Sequence, residues 1–481
     1  MRFTLLTNPK TLFYLLFACF TLCWGNNLLA QTPTPFAERW QGYEQRKALK
    51  DKSLVANIPF RNIGPTVFSC RVVDIDVNPK DPSIFYVAYA SGGLWKTENN
   101  GQSFVPIFDN EAVMTIGEIA VNWDKNIIWI GTGENNSSRS SYSGTGMYRS
   151  DDGGKNWKHL GLGESHHVGR IVLHPTNPDI AWVSVLGHLY SPSKERGVYK
   201  TSDGGKTWKQ VLATDNDNTG AIDLILNPAD ADVLYASTWQ RERRAWNFVE
   251  SGAGSAIYKS NDGGDHWTKL SGAKSGFPEG EGAGRIGLAI YNGKDKKTTL
   301  YATIDNQFHK KADETKKKEN LVYEKKTFKT ILKDDFLKLD KDKLDNFLKE
   351  NDFPEKYDAE KLFDLVKKDK LNPVALFEYL DNADDQLFET EVIGAEVYRS
   401  DDEGKTWKKT HEKYLDHVYN TYGYYFANIY VSPHDPNNLF VLGYPIIRSD
   451  DAGKTWKSIN ADNVHADHHC LWINPNRAGH L

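Results

Sequence analysis

Apolar and polar positions alternate in short runs along most of this chain, and the runs recur in one order. An apolar strand ends in a proline turn and a second apolar strand follows. Examples are Ile75-Asp-Val-Asn-Pro79 with Phe85-Tyr-Val-Ala88, and Ile171-Val-Leu-His-Pro175 with Ala181-Trp-Val-Ser184. Leu224-Ile-Leu-Asn-Pro228 with Leu234-Tyr-Ala-Ser237 and Ile429-Tyr-Val-Ser-Pro433 with Leu439-Phe-Val-Leu442 repeat the order. Two further pairs lack the proline: Ile119-Ala-Val-Asn122 with Ile127-Ile-Trp-Ile130, and Ile286-Gly-Leu-Ala-Ile290 with Thr299-Leu-Tyr-Ala-Thr303. Runs of this length, bounded by turn residues, predict strands.

A third strand then ends in an apolar residue and a base, as in Met147-Tyr148-Arg149 and Val198-Tyr199-Lys200. It runs into an eight-residue phrase, [Ser/Thr]-x-[Asp/Asn]-x-Gly-x-polar-aromatic, which begins at Thr97, Ser150, Thr201, Ser260, Ser400 and Ser449. The steps between copies are 53, 51, 59, 140 and 49 residues. The third residue (Asn99, Asp152, Asp203, Asp262, Asp402 or Asp451) can accept bonds from backbone N–H groups just ahead. The glycine allows positive φ, and the closing ring can fold back under the turn. These side chains are therefore read as structural, within a hairpin that leads to a fourth strand.

Four strands per repeat, at a period near fifty residues, predict propeller blades. Blades are expected at roughly 61–110, 111–162, 163–215, 216–275, 276–412 and 413–461. Leu471-Trp-Ile-Asn-Pro475 reads as the start of a seventh that the sequence does not complete. The expected fold is thus all-β, a seven-bladed β-propeller with its last blade incomplete. The step of 140 hides a charged insertion in the fifth blade, about 307–390. Leu344, Phe347 and Leu348 fall at helical spacing there, as do Leu362, Phe363 and Val366, and Leu376, Tyr379 and Leu380. They predict short amphipathic helices, forming a cap on one blade, a lid or a docking arm.

Composition narrows the class. The net charge of −5 is spread along the chain, which argues against a nucleic-acid surface. Arg2 and Lys10 precede the apolar run Leu12–Trp24, and Ala30 leads to Gln31. Residues 1–30 read as a secretory signal peptide and not a membrane span. They imply an exported protein, periplasmic, cell-surface or secreted. Residues 31–60 form a polar lead-in with helix-like charge spacing. Outside the signal, Cys70 and Cys470 open the first and last inner strands, where they could bridge or remain two buried thiols.

The phrases resemble Asp-box (BNR) repeats, as in sialidases, xyloglucanase-type glycoside hydrolases and the sortilin N-terminal domain. The span 61–481 resembles exported bacterial proteins labelled "glycosyl hydrolase, BNR repeat" or sortilin N-terminal domain-like. Arg71-Val-Val-Asp-Ile-Asp-Val-Asn-Pro79, Ala90-Ser-Gly-Gly-Leu-Trp-Lys96, Gly131-Thr-Gly-Glu-Asn-Asn136 and His465-Ala-Asp-His-His-Cys-Leu-Trp-Ile473 carry that likeness. The resemblance implies a carbohydrate or peptide/protein ligand at the channel mouth. It implies glycoside hydrolysis if there is an activity, and a sortilin-like interaction module as the alternative.

Four polar clusters fall where such loops would lie. Gly131–Arg139 supplies Glu134, Asn135 and Arg139, with no lysine at phosphate-loop spacing. Ser165–Arg170 supplies His167 and Arg170. Trp239–Trp246 mixes Arg241 and other arginines with indoles, a mixture suited to sugar stacking and anion contacts, or else to an arginine ladder between blades. His465-Ala-Asp-His-His469 supplies His465, Asp467 and His468. His and Asp at this spacing can ligate zinc, but a strand sends alternate side chains to opposite faces, so no metal site or cofactor is assigned. Hydrolysis needs two carboxylates about 5–10 Å apart. Asp74, Asp76, Asp223, Glu134 and Asp467 are the candidates, and Glu134 with Asp467 is the pair chosen as catalytic. Asp74 and Asp76 share a strand face and could both face the channel.

Overall fold

The computed structural model describes residues 33–58, 71–138, 140–244, 246–293, 297–310, 323, 325–351, 353–354, 356–380 and 392–481. The signal segment, Cys70 with its pairing to Cys470, and Arg139 lie outside the described residues. Among those described, no helix is long and apolar enough to cross a membrane.

Six antiparallel four-stranded sheets follow one another in the chain. The first holds Val72–Val77, Phe85–Tyr89, Gly93–Thr97 and Val105–Pro106. The second holds Ile116–Asn122, Ile127–Thr132, Met147–Ser150 and Lys158–His159, and the third Val168–Leu173, Ala181–Val185, Gly197–Thr201 and Lys209–Leu212. The fourth begins with Thr219–Asn227 and Asp230–Gln240 and ends with Ala256–Ser260 and Thr268–Lys269. The fifth is Ala283–Asn292, Thr298–His309, Val392–Ser400 and Lys408–Lys409. The sixth is Asn428–Ser432, Asp435–Leu442, Ile446–Ser449 and Lys457–Ser458. Within each sheet the strands pair in chain order.

The fold is all-β, of the β-propeller class, and the described residues form six blades and not the expected seven. Leu471–Pro475 has a strand-type sequence but forms no strand. A strand exists through its ladder, and among the described residues no strand pairs with this segment.

The chain divides into two compact units, Met1–Leu224 with Arg241–Glu250, and Ile225–Gln240 with Ser251–Leu481. The first contains sheets one to three whole. Its core lies between sheets: Tyr86, Leu94, Ile119, Ile130 and Tyr148 form one cluster, and Trp129, Met147, Val168 and Val183 another. Each such side chain contributes about 1.5–3 kcal/mol on burial. The first strands run so close that side chains are excluded at two places. A Cβ on Gly117 would meet the Val168 carbonyl at 2.2 Å, and one on Gly169 the Ile222 carbonyl at 2.3 Å.

The six phrases share one bonding scheme. In the third, Thr201 Oγ1 donates to Asp203 Oδ1 at 2.8 Å and accepts from Gly205 N at 2.9 Å. Asp203 accepts from Thr207 N at 3.0 Å and from its hydroxyl at 2.6 Å. Asp152, Asp262, Asp402 and Asp451 make the corresponding bonds to residues 156, 266, 406 and 455. The closing ring reaches the preceding blade in two cases: Trp157 Nε1 donates to Ile107 O, and Trp208 Nε1 to Leu160 O.

In the second unit, clusters around Ile286 and Leu300, and around Val397 and Val441, lie between sheets. The described part of the insertion forms helices Lys333–Phe336, Lys341–Glu350, Ala359–Lys367 and Ala375–Leu380. Asp340 and Asp358 cap two of them by accepting from Lys343 N and Lys361 N. Leu344, Phe347, Leu348, Leu362, Val366 and Leu376 share a core of their own, while Tyr379 is exposed.

Candidate functional site

The first unit carries a cavity of about 710 Å³ on its loops. The loop after Ile127–Thr132 supplies Ser141 and Tyr142, the loop before Val168–Leu173 supplies His166 and His167, and the loop after Ala181–Val185 supplies His188 and Tyr190. A two-stranded hairpin, Glu242–Arg243 with Phe248–Val249, adds Arg243, Arg244 and Trp246. Tyr142, Tyr190 and Trp246 are 59%, 49% and 85% exposed. The residue pattern explains the floor: Arg241 Nη1 donates to Ser137 Oγ at 2.7 Å and Arg243 Nη1 to Ser137 O at 3.0 Å, which fastens the hairpin to the Gly131–Arg139 loop.

The lead-in helix, Phe36–Asp51, closes one side. Arg39 donates to the carbonyls of Gly144 and Gly163 at 2.6 and 2.8 Å, and Phe36 N donates to Glu164 Oε1 at 2.6 Å. Arg196 donates to the carbonyls of Leu186, His188 and Ser191 and so braces the loop that carries His188. Three imidazoles gather here. Burial holds His166 down at about 3, aided by the neighbouring charges of His188, Arg39 and Arg196. Burial also lowers His188, and lowers His167 well below the usual range with help from Arg241. His166 and His188 stack with centroids 3.7 Å apart, and one donor atom each from Glu164, His166 and His188 lies within 4.8 Å of the others.

The expected site residues separate accordingly. His167 and Trp246 come together at this cavity, His167 with Nδ1 2.7 Å from Glu134 O, whereas Arg241 is buried against Ser137 and does not line it. Glu134 itself is fully buried; Arg71 and Ser141 occupy its two carboxylate oxygens. Asn135 is buried and donates to the carbonyls of Gly117 and Gly169. Arg170 bridges Asp223 Oδ1 at 2.9 Å and Glu118 Oε1 at 2.7 Å, a ladder across first strands. Asp74 and Asp76 do not offer free carboxylates: they accept from Ile119 N and Val121 N of the next sheet. Asp467 is exposed, at φ 73°. It belongs to the second unit with exposed His465 and half-buried His468, whereas Glu134 belongs to the first. Glu164, His188 and Tyr190 were not anticipated. His188 follows a plain apolar strand, and no spacing motif links it to His166.

Two family models match. The sortilin, neurotensin receptor 3 model (Sortilin-Vps10) covers residues 145–354, and the BNR/Asp-box repeat model covers 398–409. Residues 145–354 are thus similar to the sortilin model, and the chain carries an Asp-box repeat at 398–409. The segment matched by the sortilin model takes in His166, His188 and the Trp246 hairpin. No curated protein matches the chain. Similar solved structures include the GH74 xyloglucanase from Xanthomonas campestris, at 13% identity and TM-score 0.45, covering 82% of this chain and 46% of that one. The GH74 enzyme of Niastella koreensis is similar at 13% identity and TM-score 0.44, covering 80% of this chain and 46% of that one. YCF48 bound to D1 peptide matches at 13% and 0.43, covering 85% of this chain and 88% of that one. The Asp-box chain thus spans under half the length of these GH74 enzymes.

Proposed function

We propose that this protein is an exported Asp-box propeller that binds a carbohydrate at the cavity of its first unit. The observation that carries the reading is the exposed aromatic rim. Tyr142, Tyr190 and Trp246 stand around a polar floor with Arg243 and Arg244 beside them. Exposed rings next to hydrogen-bonding groups suit sugar faces, and guanidinium groups suit a carboxylated sugar. Binding is favoured over two-carboxylate hydrolysis, because no Asp or Glu is among the described residues lining this cavity. Glu134 is enclosed by its own partners. A peptide ligand is the second reading. It is favoured by the match to the sortilin, neurotensin receptor 3 model across the same loops.

A glycan array, followed by calorimetry on the best binder, tests the proposal. Trp246→Ala is expected to weaken binding about tenfold to thirtyfold. It should leave the melting temperature unchanged, because the ring is exposed. Saturable binding of a peptide pool with no glycan binding would transfer the cavity to the second reading. Binding that ignores the Trp246 substitution would remove the ligand from this cavity.

A further inference from the structure

Two imidazole nitrogens in this unit are left without a partner in a place where that is costly. His166 and His188 are each only 8% exposed, and Nε2 of each makes no hydrogen bond. Buried polar atoms are ordinarily satisfied. Beside them is a carboxylate, with His166 Nε2 3.6 Å from Glu164 Oε2. The ordinary reading is a stacked pair of core histidines, but such a pair would have no reason to leave both Nε2 atoms bare with the Glu164 carboxylate close to one of them and a donor atom of each ring within 4.8 Å of it.

The surroundings hold these groups in place. His188 Nδ1 lies 2.9 Å from Ser191 Oγ, so an Nδ1–H tautomer leaves the Nε2 lone pair available. Glu164 is fixed through its other oxygen by Phe36 N, and Arg39 lies 3.4 Å from Oε2. Outer partners of this kind orient metal ligands. His166 takes φ 53°, a conformation uncommon for a residue with a Cβ and concentrated at functional positions.

We infer that Glu164, His166 and His188 bind one divalent transition-metal ion of the zinc class, with a further coordination position open to the cavity. Two imidazoles and one carboxylate are a donor set that zinc accepts with a vacancy. Bonds of about 2.0–2.2 Å require the donors to close from their present separation, so binding should draw the two rings out of their stack. Arg39 and Arg196 oppose a cation and keep the affinity below that of a closed structural site. The inference does not depend on the carbohydrate reading.

The full chain, stripped with chelator, is titrated with Zn²⁺ by calorimetry and with Co²⁺ by visible absorption. One equivalent is expected, with the d–d bands of a four- or five-coordinate site, and Zn²⁺ should raise the melting temperature. His166→Asn, which tolerates positive φ, His188→Gln and Glu164→Gln should each weaken uptake at least about tenfold. His266→Thr, which exchanges one exposed turn side chain for that found at Thr207, should leave uptake unchanged. Glu164 is partly exposed, so its variant remains informative if a histidine variant fails to fold. Absence of stoichiometric uptake would overturn the inference, as would uptake indifferent to Glu164→Gln and the folded histidine variants.

Discussion

Carboxylates in the hairpin turns and carboxylates on the first strands of the first unit accept similar hydrogen bonds, yet they titrate in opposite directions. Asp152 and Asp203 are each held down to about 2, with the side-chain bond from Asn156 or Thr207 as the largest cause and the backbone bond next. Asp76 accepts from Trp123 Nε1 at 2.7 Å and Val121 N at 2.9 Å, a comparable set, but burial pushes it up to about 7. Burial raises Asp74 as well, and raises Glu118 well above the ordinary range in spite of Arg170. The hydrogen bonds therefore do not decide the sign; access to water does. A turn aspartate remains ionised and organises a loop, whereas a first-strand carboxylate ties adjacent sheets together at an electrostatic cost.

The largest effect should come from removing the cation that this cost depends on. Arg170→Met leaves Glu118 and Asp223 facing one another without their shared guanidinium. Breaking a buried pair from one side costs about 3–5 kcal/mol. Chemical denaturation should show it, and the loss should shrink as pH falls and Glu118, raised by burial, takes up a proton. A loss under about 1 kcal/mol would mean that water reaches this ladder, and the contrast with the turns would fail.

The pH dependence of the unsubstituted protein tests both regions together. Folded Asp76 holds its proton up to about pH 7 while the unfolded chain releases it near 3.8. Between those values the folded state binds more protons, so stability rises as pH falls. For the turns the sign reverses. Their folded values near 2 lie below the unfolded value, so their contribution is complete above about pH 4 and is lost as pH falls toward 2. Buried His166, His167 and His188, held below their ordinary range, pull the other way below about pH 6.5, so the acid's share is read as a difference: the melting-temperature gap between the parent and Asp76→Asn should move in the parent's favour as pH falls from about 8 to about 5. A gap independent of pH over that range would show that Asp76 is not desolvated.

The sheets were legible in the sequence because their signals are local. Each phrase carries its own acceptor, its own glycine and its own ring, and apolar strand pairs lie a turn apart. Blade number was less legible. Leu471–Pro475 has the same local signature as Ile171–Pro175, but strand formation depends on a neighbour that local pattern does not show. The site divides the same way. His167 and Trp246 were visible as polar or aromatic clusters in expected loops, and they meet at one cavity; Arg241 was visible in the same way but is buried against Ser137. Glu134 sits in such a cluster too, but sequence reports residue type and not the Arg71 and Ser141 that enclose it. His188 lies 22 positions from His166 on a separate loop, and the pairing of Val168–Leu173 with Ala181–Val185, carried on by Leu186 N donating to His167 O, sets those loops side by side.

Smaller effects separate geometry from charge within the turns themselves. Asp203→Ala removes the acceptor for Thr207 N, Thr207 Oγ1 and Thr201 Oγ1 together. It should lower the melting temperature by several degrees. Asp203→Asn should do far less, and the first turn shows why. There Asn99 Oδ1 accepts from Ser103 N and Thr97 Oγ1, both at 3.0 Å, while Nδ2 donates to Ser103 Oγ at 2.9 Å. The hydroxyl that donates in a charged turn accepts in the neutral one. Thr207 can rotate in the same way, so Asp203→Asn should shift the melting temperature at pH 7 by no more than about 2 °C. Its gap from the parent should narrow or reverse below pH 3, where the parent loses an ionised acceptor and the variant has none to lose. Equal damage from Asn and Ala would mean that the negative charge, and not the bonding pattern, holds the turn.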